Sequence, residues 1–492
     1  MQNLVTPTVL PSYRREEWIK GYLSQPNEGA YWIEEIEGEI PANLRGTLFR
    51  NGPGLMDVGG QPFAHPFDGD GMICAFSFCP NGKVYFQNRF VRTEAYIAEQ
   101  KAQKILYRGF GTQKPGGWLA NCFDTNFKNA ANTNVLYWAD RLWALWEGGS
   151  PHRLDPANLE TVGRDRFLAS VLDSNQPLSA HPTIIKGDDG EERLVTYSVK
   201  AGLSSKVEIF EFDRQGKLLK KHAHILPGFA FLHDMAVTTD TCIFFQNPVT
   251  LDGFSMLFGL KGADKCIQFR DDRPTKVVLI SRNGDFEMQV LETDPNFIFH
   301  YANAWEEGDK IWVEAICLDY FPQLDPDIDF RDIDPGQYPK SQLRRFCIDR
   351  ARKTVDSQLV ETRSCEFPQL NRDRCGRPYR YLYVGATDRE QEENSPLQAV
   401  MKIDWHTGER QLWSAAPSGF VSEPIFVPAP DGVAEDDGWL LVLVYDGAKH
   451  RSKLVILDAR DLQQGAIAQL HLPYHIPYGF HGMWTSFLPN LQ

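Results

Sequence analysis

The chain has 492 residues, with 51 basic against 65 acidic side chains and a formal net charge of −14. A hydrophobic fraction of 42% excludes intrinsic disorder, and an acidic balance without a Lys/Arg run excludes nucleic acid, whose affinity rests on phosphate neutralisation. At ~150 residues per domain the length points to about three domains, but closed β-architectures run longer as one unit. The surplus is aromatic: 17 Tyr, 12 Trp and 31 Phe either fill the core or line a cavity.

In chain order, the N-terminal stretch MQNLVTPTVLPSYRREEW has no basic segment followed by an apolar one, so no secretory signal is expected. Arg15 to Leu23 reads as a short helix. Ile73 to Val91 reads as two strands around the turn Pro80-Asn81-Gly82. A second helix is predicted from Thr93 to Leu106, with Thr93 as its cap. Turn chemistry then recurs at Gln215-Gly216, Arg282-Asn283-Gly284, Glu307-Gly308-Asp309 and Thr407-Gly408, and Asp436-Asp437-Gly438 precedes a strand. Trp439 to Tyr445 (WLLVLVY) is a buried strand, far short of the ~18 apolar residues that cross a membrane, and Arg451 to Leu457 is another. Nine cysteines form no CxxC pair, and an odd count fits core thiols in a reducing cytoplasm. With no linker, the chain reads as one all-β domain over 1–492, with an N-terminal extension of about 30 residues. A propeller would protect the edges of so many strands, and sandwich arrays or β-helices satisfy the same periodicity.

Four of the twelve histidines sit in apolar contexts where an imidazolium is costly: His181 (LSAHPT), His233 (FAFLHDMAV), His300 (FIFHYANAWEE) and His481 (YGFHGMW). Glu147 (LWALWEGG), Glu366 (CEFP) and Glu423 (SEPIFVP) have similar surroundings. Singly, each histidine reads as a satisfied half-buried ring and each glutamate as a strand-end carboxylate. In chain order the seven are separated by 34, 52, 67, 66, 57 and 58 residues, near one propeller blade per step. Inner strands of successive blades would then aim one side chain each at a common axis. Four neutral imidazoles there bind a first-row divalent metal, and two free positions suit Fe(II) and dioxygen better than zinc. Glutamates behind them would fix the tautomers. His222, His224, His406 and His450 lie beside charges or turns and are expected in solvent. There is no HExxH, and FRNGPG and FDGDGM lack the spacing of a phosphate loop.

These motifs resemble the carotenoid cleavage oxygenase family, nearest to its cyanobacterial apocarotenoid-cleaving branch. The resemblance runs from GTLFRNGPG (46–54) through HPFDGDGM (65–72), ANTNV (131–135), LWEGG (145–149) and SAHP (179–182) to FHG (480–482), with FLHD, FHYANAWEE, CEFP and SEPIFVP between. It implies a seven-bladed β-propeller capped by loops and short helices. On its axis one non-haem Fe(II) is expected, held by His181, His233, His300 and His481, with Glu147, Glu366 and Glu423 behind three of them. Thr133 matches the family's small β-branched residue near the iron, and His65 is expected to be structural. Phe67, Trp146, Phe299 and Phe367 would flank the iron and touch the substrate; core packing is the competing reading for each.

The resemblance further implies oxidative cleavage of a conjugated C=C bond of a carotenoid or apocarotenoid, at the 15,15′ position, with O2 as co-substrate and no catalytic side chain beyond the metal centre. A stilbene-cleaving dioxygenase or a retinoid isomerase-like enzyme would share the iron site. A hydrophobic polyene implies a cytoplasmic protein in peripheral membrane contact, without an obligate protein partner. Two segments could touch lipid, 115–123 (PGGWLANCF) and 253–260 (GFSMLFGL), unless both pack within the cap.

Overall fold

The structure is a computed structural model that describes residues 12–165, 171–172, 176–187, 189–324, 328–390 and 394–490. The first eleven residues of the expected N-terminal extension lie outside these. Seven antiparallel sheets make the seven blades of a β-propeller. Five are four-stranded meanders whose innermost strands are Asn134–Trp138 (blade 2), Thr183–Lys186 (blade 3), Ala236–Val237 (blade 4), Phe297–Glu307 (blade 5) and Cys365–Gln369 (blade 6). Blade 7 begins with Gly419–Val421 and Ile425–Pro428, both paired with Gly438–Asp446, and takes Ile36–Gly38 as its outermost strand. Blade 1 is mixed in origin. Its outer strands come from residues 29–90, whereas its inner strand is Gly482–Thr485, paired antiparallel with Gly46–Leu55.

The turn chemistry is where the sequence put it. Asp70–Phe78 and Val84–Phe90 form the hairpin around Asn81-Gly82, with Gly82 at φ +75°, which a side chain would strain. The first helix, Arg15–Ile19, continues as a single 3₁₀ turn to Tyr22. The second runs Glu94–Ala102, capped by Thr93, whose side chain accepts from the Tyr96 N–H; it stops four residues before the predicted end, where Gln103 turns left-handed at φ +52°. His406 and His450 are exposed as expected; His222 and His224 are instead half-buried, paired Nδ1 to Nε2 at 2.9 Å.

Apolar side chains pack between blades rather than in one central core. One buried cluster joins blades 7 and 1 (Leu48, Phe76, Phe86, Leu441, Ile456) and another joins blades 6 and 7 (Tyr383, Val442, Leu457). Five more fill the junctions from blade 1 round to blade 6. Every blade therefore shares its apolar faces with two neighbours, and none has a core of its own.

We propose on this basis that the ring folds as one unit. Calorimetry is expected to give one cooperative transition, and ending the chain before Gly482 should abolish it by opening blade 1. Two resolved transitions in the full chain would contradict this.

Candidate metal centre

The inner strands set the site. His181 lies two residues before the inner strand of blade 3, His233 three before that of blade 4, and His481 directly before that of blade 1; His300 is the fourth residue of the inner strand of blade 5. One nitrogen from each lies within 4.8 Å of the others. His181 Nε2 and His233 Nε2 approach to 3.0 Å.

Three of the rings are held from behind. His233 Nδ1–H donates to Glu147 Oε2 (2.6 Å), His300 Nδ1–H to Glu366 Oε2 (2.7 Å) and His481 Nδ1–H to Glu423 Oε1 (3.0 Å). A donor proton on Nδ1 leaves Nε2 as a lone pair facing the axis. The His300 Nε2 atom is buried and has no hydrogen-bond partner among the described residues. An unpaired buried lone pair facing three others is costly unless a cation shares it, so these residues fit a divalent metal.

The electrostatics favour a neutral ring at His181 and His481 but not at His300. Burial holds His181 far below the ordinary imidazole range, and the other three rings add to this. Burial also lowers His481, against the opposing pull of Glu423. At His300 burial acts downward, but Glu366, Asp234 and Glu423 outweigh it and raise the ring. Burial works against charge on Glu366 and Glu423 too; His300 for the first, and His481 with Arg50 for the second, outweigh it and hold both below the usual carboxylate range.

Glu147 does not come from an inner strand: it follows the second strand of blade 2, Arg141–Leu145. The residue at the head of that blade's inner strand is Thr133, and the His481 N–H donates to its carbonyl at 3.2 Å. The ring of inner-strand positions is thus Thr133, His181, His233, His300, Glu366, Glu423 and His481, which explains the odd first gap of 34 residues.

The retinal pigment epithelial membrane protein (RPE65) family matches residues 22–486. This chain belongs to that family of carotenoid oxygenases. Apocarotenoid-15,15'-oxygenase of Synechocystis sp. is 52% identical over 487 residues, which span 98% of this chain and 99% of that protein. Carotenoid isomerooxygenase of Galleria mellonella is 28% identical, over 95% of this chain and 94% of its own. The crystal structure of cobalt-substituted Synechocystis ACO superposes with a TM-score of 0.94 at 52% identity, covering 97% of this chain and 100% of that one.

The aromatic residues expected near the metal divide in this carotenoid oxygenase. Phe299 packs edge-on to His233 at 5.2 Å, and Phe367, held at φ +58°, lies 5.9 Å from His300 and 5.5 Å from His481. Phe67 is more exposed and reaches the site through Phe480, 5.4 Å away. The Trp146 ring lies over Gly148 and Gly149, where an added Cβ would meet it at 2.5 and 3.0 Å, and it makes no ring contact with the four imidazoles among the described residues. A cavity of about 220 Å³ runs past the site along the inner strands, lined by Leu136, Ile184, Asp234, Ala302, Arg372 and Met483 among others.

Sequence reasoning passed over several residues. Phe110, Phe231, Phe297 and Phe321 join Phe299 in one apolar cluster with Val249 and Leu318. For Phe231 a signal was present: an aromatic stands one or two positions before each of His233, His300 and His481. Asp234, next to His233, accepts from Met235 N–H (2.6 Å) and Tyr301 N–H (3.0 Å), so it ties blade 4 to the strand of His300.

His65 is buried away from the metal cluster, its Nδ1 accepting from the Phe67 N–H at 3.1 Å. Burial pushes its pKa down to about 3, with Lys265 assisting. The folded ring thus stays neutral while the unfolded one protonates near its ordinary 6.5. Stability from this group is full above pH ~6.5 and falls by about 1.4 kcal/mol per unit below it. Chemical denaturation of His65→Asn, which keeps an acceptor, should show a shallower loss between pH 6 and 4 than the parent; an equal slope would contradict this.

Proposed function

We propose that this carotenoid oxygenase is a non-haem Fe(II) dioxygenase, one ion per chain, that cleaves a conjugated C=C bond of an apocarotenoid or carotenoid, at the 15,15′ position, into two aldehydes. The observation that carries it is the convergence of four imidazoles, three backed by carboxylates, beside an aromatic cluster. The 52% identity with apocarotenoid-15,15'-oxygenase supports the substrate class.

His181, His233, His300 and His481 would hold the iron through Nε2, and the bound iron would supply dioxygen activation. The remaining work of the chain is positional. Glu147, Glu366 and Glu423 keep the rings in the Nδ1–H tautomer, so no ring flips to donate into the cavity. Phe299 and Phe367 stand on the flanks of the imidazoles, where they hold an extended polyene and exclude water. Their faces also stabilise positive charge developing along a polyene. Regioselectivity is then a matter of which double bond rests over the metal. Thr133 fills the inner-strand position of blade 2, beside His481, and supplies no ligand. The balance needs no acid or base: one O atom of O2 goes to each carbon of the broken double bond.

The two apolar segments form one surface. Phe123 N–H donates to Leu257 O, and Arg108 binds the carbonyls of Asp124 and Met256 across them. Trp118, Leu119, Phe123 and Phe254 are each more than half exposed, whereas Phe258 is half-buried against Phe123 and Phe254. The first segment leaves the loop that Asp68 holds by the N–H groups of Gly111 and Thr112, and Phe110 in that loop stacks on Phe67. We read this surface as a peripheral membrane contact at the substrate entrance of a cytoplasmic enzyme. No helix among the described residues is long and apolar enough to cross a membrane.

Anaerobic loading with Fe(II), then addition of ¹⁸O2 and a panel of polyenes, is expected to give two labelled aldehydes whose masses name the 15,15′ bond. Unlabelled products would overturn the dioxygenase reading. His300→Ala should lose both iron and cleavage by at least 100-fold; full iron occupancy would contradict the ligand set. Trp118→Glu with Phe254→Glu should reduce flotation with anionic liposomes more than fivefold, and unchanged flotation would refute the docking surface.

A further inference from the structure

Of the three carboxylates behind the metal cluster, one is built unlike the others. Among the described residues, Glu147 accepts only from His233, and its side chain is one-third exposed. Glu366 accepts from His300 and from the Phe367 N–H at 2.7 Å. Glu423 is buried and accepts four bonds. Oε1 takes His481 Nδ1–H and Gln369 Nε2–H, both at 3.0 Å; Oε2 takes Gly482 N–H at 2.8 Å and an Arg50 guanidinium N–H at 2.6 Å.

Arg50 is itself fully buried, in a strand of blade 1 and in the motif GTLFRNGPG, whose chemistry the fold alone leaves unassigned. Its second arm donates to Phe480 O at 2.9 Å, and its first also reaches Glu423 O at 3.4 Å. The guanidinium therefore grips both the carboxylate behind His481 and the peptide bond leading into it. Gly482, on the other side, fits against it so closely that a Cβ would stand 2.6 Å from Arg50 Cδ. Asn51 next to it accepts the Phe480 N–H at its carbonyl (2.9 Å), and its own N–H donates to the His481 carbonyl (2.8 Å).

His481 is also the ligand with the weakest topological claim to its place. His181, His233 and His300 each precede or open an inner strand that continues directly into its own blade, whereas the inner strand after His481 is held only by pairing with Gly46–Leu55, far away in sequence. A burial this complete for an arginine is unfavourable without a partner and strongly destabilising when the partner is removed. A strand of aliphatic residues would close blade 1 without that penalty.

We propose that Arg50 is a positioning residue for the metal centre: it fixes His481 through Glu423 and Phe480, and so couples closure of the propeller ring to the fourth metal bond. A planar fork suits this, because its two arms hold two separate acceptors, the Glu423 carboxylate and the Phe480 carbonyl, with one rigid group. The inference rests on the four-histidine metal site proposed above.

Co(II)-loaded protein gives the test, since its visible d–d bands report ligand geometry without turnover. Arg50→Lys keeps the charge but loses the fork; it is expected to shift those bands and to release Co(II) to excess EDTA about threefold faster. Arg50→Met should release it at least tenfold faster. With Glu423→Gln the effect of Arg50→Met on release should be non-additive, and with Glu147→Gln it should be additive, because Arg50 touches nothing behind His233. Purely structural action would lower the melting temperature of the metal-free protein while leaving bands and release rate at parental values, and that result in Arg50→Lys overturns the proposal even if Arg50→Met does not fold. Failure of the parent to bind Co(II) at all would instead overturn the metal site itself.

Discussion

Pairing of Gly482–Thr485 with Gly46–Leu55 is the constraint on which the rest depends. A propeller ring is shut only if its first and last blades meet, and here the chain's end supplies the innermost strand of the sheet its beginning built. The same pairing carries His481 to the axis. The histidine cluster and ring closure are thus not separable: the fourth imidazole arrives only when the ring is shut. The outermost strand of blade 7, Ile36–Gly38, makes a second tie from the N-terminal side.

The site then solves a conflict between burial and charge. Imidazoles in an apolar ring of inner strands lose their hydration, which favours the neutral form that binds a metal. Carboxylates strong enough to orient those rings would be expensive in the same place unless each found donors. The three solve this differently: Glu147 keeps partial contact with solvent, Glu366 takes a backbone N–H, and Glu423 takes Gln369, a backbone N–H and Arg50. The number of donors among the described residues rises in the same order, one for Glu147, two for Glu366 and four for Glu423.

Much of this was legible in the chain, for reasons that can be named. Histidine and glutamate in apolar strand contexts are unusual enough that their recurrence near blade spacing marked an axis, and the turn residues marked the strands. What failed was the assumption that every member came from an inner strand. Glu147 reaches His233 from beyond a second strand, while Thr133 holds the corresponding inner position. Spacing along the chain reports which blade a residue belongs to and not which strand of it. The aromatic surplus was likewise half read. Phe299 and Phe367 lie against the imidazoles, but Phe110 and Phe321 join Phe299 in one apolar cluster through packing between distant loops, which no local pattern encodes.

The two apolar segments show the same limit from the other side. As sequence, 115–123 and 253–260 are independent stretches that either fold inward or face lipid. In the structure the two pack together: Phe258 is half-buried against Phe123 and Phe254, and Arg108, buried beneath, donates to the carbonyls of Asn121 and Met256. A buried guanidinium donating to carbonyls gives the short helical turns Gly117–Asn121 and Gly253–Leu257 a common floor, and Trp118, Leu119 and Phe254 face outward from it. Arg50 and Arg108 thus perform the same physical task in two parts of the fold, each holding elements that meet only in the folded chain.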